Sequence, residues 1–427
     1  MQWPIWGCMY MTTYHLFEAI GLELEYMIVD RSNLDIQSRA DLILQSDGKQ
    51  VSTVERDGTS WSNELVSHVV ELKTDPPLLK PAGALSAFRR DLAEIQDTLE
   101  AQGLSLLGTG MHPWMDPESR ILWPGENGPI YRTFDRIFDC KGHGWANLQS
   151  MHLNFPFASD EEFARLMAAI RVLVPALPGL CASTPICDGK WTGLLDYRMS
   201  VYGSNASAIS SVSGQVVPEP LFDPAQYQAE LLDGIYRDLA PLDPDGVLQE
   251  EWVNARGAIA RFERNAIEIR VIDTQECPEM DMAIAAFVET ALIALANEQF
   301  ADRKDQMALS QRDLVALLQD TIMRGGEAEA GPLARLFGFS TGLSIIDFWR
   351  ELAERLPIAS AGNLDRYLEQ LLSHGSLAQR IRSHLERLTG LPLPFAQSIP
   401  LPHAILENVY RDLRHCLESG NPFLNGH

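Results

Sequence analysis

The sequence predicts an α+β protein: an antiparallel β-sheet carrying helices on one side, followed by a helical last third. Three observations lead there. Segments in the front and middle of the chain alternate polar and apolar residues with period two, as half-buried strands do. Beyond Cys277 the apolar spacing becomes helical almost throughout. No GxGxxG and no GxxxxGK(S/T) occurs, which argues against a doubly wound nucleotide fold and for strands and helices segregated into layers.

In order along the chain, Met1 to Thr13 is apolar and aromatic but lacks a basic region and a helix-length apolar stretch, so it is a poor signal peptide. Met9 and Met11 stand just before the first patterned segment, and residues 1–14 read as an N-terminal extension. From Ile20 to Asp30, Ile20, Leu22, Leu24, Tyr26 and Ile28 share one face of a strand, with Glu23 and Glu25 on the other. A second strand candidate runs from Glu64 to Thr74 and stops at Asp75-Pro76-Pro77. Leu85, Phe88, Leu92, Ile95 and Leu99 give a helix over about 82–102, ended by Gly103. Leu104 to Met111 reads as a buried strand, and Asn147 to Phe155 as an alternating one.

Ser159 with Glu162 makes a capping box for a helix whose stripe is Phe163, Leu166, Met167, Ile170 and Val174. Trp252 to Asp273 is expected to be a hairpin turning near Glu263-Arg264-Asn265 and returning through Ala266 to Ile272. In the last third, Ser310/Asp313 and Asn363 are candidate caps, and Leu364, Tyr367, Leu368, Leu371 and Leu372 line one stripe.

Composition limits the functions open to this chain. Its 427 residues would suggest about three domains on length alone, a soft prior. With 34 Lys+Arg against 58 Asp+Glu, the formal net charge is −24, which repels phosphate backbones and anionic lipid. Nucleic-acid and membrane-surface partners are therefore not expected, and no run of 18 apolar residues suggests a transmembrane helix. Six cysteines (Cys8, Cys140, Cys181, Cys187, Cys277, Cys416) form no CxxC pair, as expected of reduced cytosolic thiols. The expected location is cytoplasmic.

The sharpest chemical signal is Glu23 and Glu25. Side chains at i and i+2 of a strand project together, and two carboxylates there repel unless a cation sits between them. A solvated edge strand would carry the same pattern. Glu64 and Glu71 flank an apolar stretch seven residues apart, so a bulge or turn is needed to bring them together. His68 reads equally well as structural. His152 and Asn154 share the polar face of one strand, and Glu268 and Arg270 that of another.

If helices cover the aliphatic faces of these strands, the opposite face is a carboxylate-rich cleft. Such a cleft suits a hard divalent ion such as Mg²⁺, with Mn²⁺ an alternative if His152 is a ligand. Arg198 and Arg270, and more weakly Arg256 and Arg261, are candidates to hold phosphates or carboxylates.

Seven segments in this order resemble the glutamate–cysteine ligase family, including its plant-type and carboxylate–amine ligase branches. They are Gly21-Leu22-Glu23-Leu24-Glu25, Glu64 through Glu71-Leu72, and Gly108-Thr109-Gly110-Met111-His112-Pro113-Trp114. Then come Ser150-Met151-His152-Leu153-Asn154-Phe155, Ala182-Ser183-Thr184-Pro185, Tyr197-Arg198-Met199-Ser200 and Ala266-Ile267-Glu268-Ile269-Arg270.

The resemblance covers about residues 15–300. It implies a glutamine-synthetase-like fold, related to that of guanido kinases, in which an antiparallel sheet forms a funnel binding ATP and Mg²⁺. It implies an activity joining glutamate, through a γ-glutamyl phosphate, to an amine, most simply cysteine, as in glutathione biosynthesis. It makes Glu23, Glu25, Glu64, Glu71, His152 and Glu268 candidate metal ligands. Arg198 and Arg270 become candidates for catalysis and substrate or nucleotide binding, together with Asn154. Residues 15–300 would form the catalytic sheet domain, and 301–427 a helical region packed on it or making homo-oligomer contacts.

Other readings stay open: the same fold with a different amine, a phosphagen-kinase-like activity, or a non-catalytic nucleotide- or metal-binding relative. The stretch Ile121 to Gly144, with Trp123, Arg132, Arg136 and Lys141, is either a substrate wall or surface. Cys181 and Cys187 are expected to be buried and inert.

Overall fold

The computed structural model describes residues 13–356 and 364–424. Most of the N-terminal extension, Cys8 and the Asn363 cap lie outside them. One eight-stranded antiparallel sheet organises the chain. Its strands are β1 (Gly21–Asp30), β2 (Thr53–Glu55), β3 (Thr59–Asn63), β4 (Val69–Thr74), β5 (Leu104–Leu107), β6 (Ser150–Pro156), β7 (Ala258–Arg261) and β8 (Ala266–Asp273). They run in the order β7-β8-β6-β1-β4-β3-β2, and β5 pairs with the C-terminal half of β1.

One face of this sheet is aliphatic. Leu22, Leu24, Tyr26 and Ile28 of β1 join Val70, Leu72, Met151, Leu153, Ile267 and Ile269 in the main core. Helices α1 (Leu85–Glu100), α3 (Asp160–Leu173) and α4 (Pro278–Ala296) supply the other half of that core; the helix α2 (Gly128–Phe138) lies at the edge of the opposite face. The other face is divided. At the far end of β1, Met27 and Val29 are covered by α5 (Leu377–Thr389) and α6 (His403–Ser419) in a second core. The rest, from Glu23 to Glu25, stays open.

Several expected elements shift. Glu64 to Thr74 is not one strand. β3 ends at Asn63 and β4 starts at Val69, with Asn63 paired to Val70, so Glu64 to His68 form the hairpin connection. The strand expected to reach Met111 stops at Leu107. A Cβ on Gly108 would lie 2.7 Å from the Gln275 carbonyl oxygen, and one on Gly110 2.8 Å from the Asp273 carboxyl carbon. These glycines therefore let the chain pass against the segment that follows β8.

The capping box at α3 is half formed. Ser159 Oγ accepts from the Glu162 amide, but the Glu162 carboxylate accepts from the Ala158 amide instead. The Ser310 cap is present, accepting from the Asp313 amide. The helical run Asp160–Cys181 is long and apolar enough to cross a membrane, yet 89% of its most apolar window is buried inside the fold. It is a core helix, and its Arg171 is bound to the Pro218 and Leu309 carbonyls and Gln311.

His68 and His112 prove structural. The His68 Nε2 donates to the Ala146 carbonyl, and its Nδ1 has no partner among the described residues. His112 donates from Nε2 to the Leu34 carbonyl and accepts the Trp114 amide at Nδ1. Burial holds both rings down at about 4. A histidine in the unfolded chain titrates near 6.5. Between those values only the unfolded chain takes up the proton, so their contribution is complete above about pH 6.5 and is lost as pH falls toward 4.

The loss is on the order of 3 kcal/mol for each ring. Urea midpoints are expected to fall between about pH 7.5 and about pH 5, and less so in His68→Gln. Equal pH slopes for wild type and variant would remove His68 from this account.

Candidate active site

The open face is built by cross-strand register. Glu23 stands opposite His152, Glu25 opposite Glu71, and Glu268 opposite Asn154. Side chains facing each other across an antiparallel pair point to the same side of the sheet, so β1, β4 and β8 send their acids, and β6 its His152 and Asn154, to one place. His152 lies at the centre, with Nδ1 3.0 Å from Glu23 Oε2 and 3.8 Å from Glu268 Oε1. Its Nε2 is 2.9 Å from Ser150 Oγ and 4.0 Å from Glu25 Oε1.

Charges set the state of each group. Burial acts to lower the His152 ring, but the hydrogen bond to Glu23 and the Glu25 and Glu268 charges raise it to about 9. Burial would raise the Glu23 carboxyl, yet His152 holds it well below the usual range. Glu25 is raised, by burial first and by Glu71 among its neighbours, against the pull of His152. Glu64 is raised well above its ordinary value by burial and then by Glu71 and Glu25. Lys73, which burial would lower, is raised by Glu71 and Glu23, and its ammonium donates to Glu71 Oε2 at 2.6 Å.

The donor set fits a divalent cation. Glu23, His152 and Glu268 place one ligand atom each within 4.8 Å of one another, and so do Glu25, Glu71 and His152. Two overlapping sets of carboxylate oxygens with one imidazole suit a hard or borderline ion. Glu64 supplies no atom to either set, although it lines the same cleft. A third group, His143, Cys187 and Asp188, is poorly made for metal. The Asn147 amide faces His143 Nδ1 at 3.1 Å, which leaves the ring proton on Nε2 toward Asp188. Burial also pushes the Cys187 thiol up to about 12. Cys181 is likewise buried and raised.

The arginines separate into two groups. Arg270 lines the cleft and pairs with Glu268, which holds that carboxyl low against the raising effect of burial. Arg198 lines it too, but its Nε is fastened to Asp273. Arg261, one of the two weaker candidates, is inside, with Nη1 3.0 Å from Glu268 Oε2. Arg256 is not. It pairs with Glu219 and the Ser211 carbonyl, away from the cleft. Asn154 donates to Glu23 Oε1 at 3.2 Å.

Sequence reasoning missed Lys73, Asp273 and Arg264. Arg264 sits exposed on the β7–β8 turn, with no ion pair among the described residues, and lines both of the cavities described next. The stretch Ile121 to Gly144 does wall the cleft, through Asn127, Ile130, Tyr131 and Phe134 of α2 and its entry. Trp123 is in the core instead, Arg136 is bound to the Leu242 carbonyl, and Arg132 and Lys141 face solvent. Helical spacing from the cleft-facing Tyr131 would have favoured Phe134 over the charged residues.

The cleft holds about 550 Å³ and shares Glu23, Thr53, Lys73 and Arg264 with a neighbouring cavity of about 1150 Å³. The larger cavity lies between β1, residues 46–55 and Asp75-Pro76-Pro77. Glu23, Lys73 and Arg264 thus stand where the two chambers meet, while Glu25, Glu71, His152 and Glu268 line the smaller one alone.

A family model described as glutamate-cysteine ligase family 2 matches residues 19–381. An uncharacterized protein of Archaeoglobus fulgidus is 35% identical over 65% of this chain and 75% of its own. A Bordetella parapertussis protein named "Putative glutamate–cysteine ligase 2" is 23% identical over 88% of this chain and 84% of its own. Among solved structures, the glutamate–cysteine ligase of Francisella tularensis in complex with AMP superposes with a TM-score of 0.59 at 15% identity. It covers 94% of this chain and 89% of that one. A bifunctional glutathione synthetase of Pasteurella multocida gives 0.60 at 13% identity, over 95% of this chain but 53% of its own. At those identities the likeness establishes the fold.

Proposed function

This chain belongs to glutamate–cysteine ligase family 2 and is an ATP-dependent ligase, and on that premise we propose that it joins the γ-carboxyl group of glutamate to an amine through a γ-glutamyl phosphate. The supporting observation is the carboxylate–imidazole cluster of the smaller cavity, which adjoins the larger one at Glu23. The larger cavity is read as the nucleotide chamber and the smaller as the chamber for glutamate and the amine. Residues 15–300 are read as the catalytic unit and 301–427 as its cover. Mg²⁺ is the expected ion and the cytoplasm the expected compartment.

A carboxylate is a poor electrophile. A γ-carboxylate oxygen attacks the γ-phosphorus of ATP, ADP leaves, and the acyl phosphate that forms has a good leaving group. The amine nitrogen then attacks the acyl carbon, phosphate departs, and the nitrogen loses its proton to give the amide. Both steps bring anions together, so positioning and charge neutralisation are what a protein can supply.

Glu23, Glu25, Glu71, His152 and Glu268 would hold divalent ions, which neutralise the transferring phosphoryl group when bound. Arg264 and Lys73, at the passage between the chambers, are placed to steady phosphate oxygens. Arg270 and Arg198 offer guanidinium groups to a carboxylate on the cleft side. The relatives' names make cysteine one candidate amine, with γ-glutamylcysteine as its product, and a different amine on the same fold is the alternative.

Incubation of the protein with ATP, Mg²⁺, glutamate and a mixture of amines, followed by mass spectrometry, tests this. The expected result is a γ-glutamyl amide formed one for one with ADP and phosphate. ATP consumption with no glutamate-containing product would overturn the reading.

A further inference from the structure

We infer that the acceptor subsite selects a primary amine bearing an aromatic or bulky apolar side chain in preference to cysteine. The inference rests on the ligase reading above and concerns the wall of the smaller chamber. That wall is made by three chain segments: α2 brings Ile130 and Phe134, the helical turn His143–Ala146 and the link from it to β6 bring Trp145 and Leu148, and the segment before β7 brings Trp252. The Phe134 ring centre lies 5.3 Å from that of Trp145 and 5.8 Å from that of Trp252. All three rings line the cleft and remain partly exposed.

The polar edge of Trp145 is already used, since its Nε1 donates to the Asn205 carbonyl at 2.9 Å, so the indole offers its apolar surface. Phe138 stacks behind Trp145 at 5.4 Å and fixes that ring in place. None of the wall's five side chains is an acid or a base. The cleft's carboxylates and guanidinium groups come from the β-strands, from Glu64 on the β3–β4 connection, and from Arg198 and Arg264, and the nearby Arg136 is held by the Leu242 carbonyl. A charged acceptor side chain set against these rings would lose water without a partner among them.

A cysteine side chain ends in one sulfur, which can cover one ring and leave the others in water. An aromatic or branched aliphatic side chain displaces water from several at once, and apolar burial scales with the area covered. Offset or edge-on contact with three rings also sets an orientation that a thiol cannot exploit. One missing methylene in such a pocket changes discrimination by about 10-fold or more, so the difference between a ring and a thiol is within reach of measurement.

The test compares kcat/KM for phenylethylamine, phenylalanine, leucine, cysteine, alanine and lysine as acceptors, with ATP, Mg²⁺ and glutamate held constant and γ-glutamyl amide measured directly. The expected result is a preference of at least ~10-fold for the aromatic or bulky apolar amines over cysteine and alanine. Phe134→Ala and Trp252→Ala are each expected to reduce that ratio at least ~5-fold, a readout independent of how much active protein each variant yields. Amide formation that favours cysteine, alanine or lysine overturns the inference and leaves the ligase reading standing. A preference for aromatic amines that both variants retain overturns the assignment to this wall. No amide with any amine overturns both.

Discussion

Glu25→Gln is expected to reduce amide formation by at least ~10³-fold while the protein stays folded and no less stable without metal. The fold survives because the glutamine keeps an acceptor. Glu25 Oε2 accepts the Ser150 amide at 2.7 Å and the Ser150 hydroxyl at 3.1 Å, and an amide oxygen of the same length does the same. Stability without metal should not suffer, because Glu25 is buried beside Glu71 and its ionised form is disfavoured. Removing that negative charge relieves a repulsion.

The proposed ligand set, in contrast, loses one of its three members. Glu25, Glu71 and His152 are one of the two groups within ligand distance, and an amide is a weaker and neutral donor. Thermal melting with and without Mg²⁺ or Mn²⁺ separates these effects. Wild type should be stabilised by added ion, and Glu25→Gln should respond much less. Wild-type turnover in the variant would remove Glu25 from the ion site.

This residue also shows what the sequence made readable. Alternation in β1 places Glu23 and Glu25 together without knowledge of any partner strand. The same holds for His152 with Asn154 and for Glu268 with Arg270, since each pair depends on period two alone. Convergence of Glu64 with Glu71 required a turn, and the structure supplies one between Asn63 and Val69. What alternation cannot reveal is where it fails. β8 carries an irregularity between Ile269 and Ile272 as it pairs with β6.

One extra residue there exchanges the two faces, so Asp273 stands opposite Ser150 on the side of His152 and Glu268. Regular alternation would have placed it in the aliphatic core. Arg256 and Arg261 were inseparable by type, and only the start of β7 at Ala258 puts one outside the cleft and the other in it. The wall of α2 was legible as a segment but not by face, because charge drew attention to Arg132 and Arg136 on the solvent side.

Asp273 leads to the second large effect. Its Oδ2 accepts the Ser183 amide at 2.7 Å, the Thr184 hydroxyl at 3.0 Å and the Ser183 hydroxyl at 3.2 Å, while Oδ1 takes Arg198 Nε. Both partners of the ion pair are fully buried. One carboxylate thus fastens the Ala182–Pro185 segment and the helix bearing Arg198 to the end of β8. Asp273→Asn keeps an oxygen for the Ser183 amide but removes the carboxylate bound to Arg198 Nε, leaving near the guanidinium only Asp196 and Glu25, whose ionised forms burial disfavours. Uncompensated buried charge costs about 3–5 kcal/mol, and a urea midpoint measures it.

Arg198→Met added to Asp273→Asn removes the stranded charge. The double variant should recover at least ~1 kcal/mol relative to Asp273→Asn alone, because an apolar replacement of a buried pair is far less costly than half of one. Turnover should not recover with it, since the guanidinium offered to the cleft is gone. If stability and turnover returned together, Arg198 would be only a structural partner of Asp273. If neither returned, the loss would lie in the hydrogen bonds to Ser183 and Thr184 and not in the charge. Recovery of stability without turnover is the outcome that gives Arg198 both roles, a buried counter-ion on one side and a substrate-facing cation on the other.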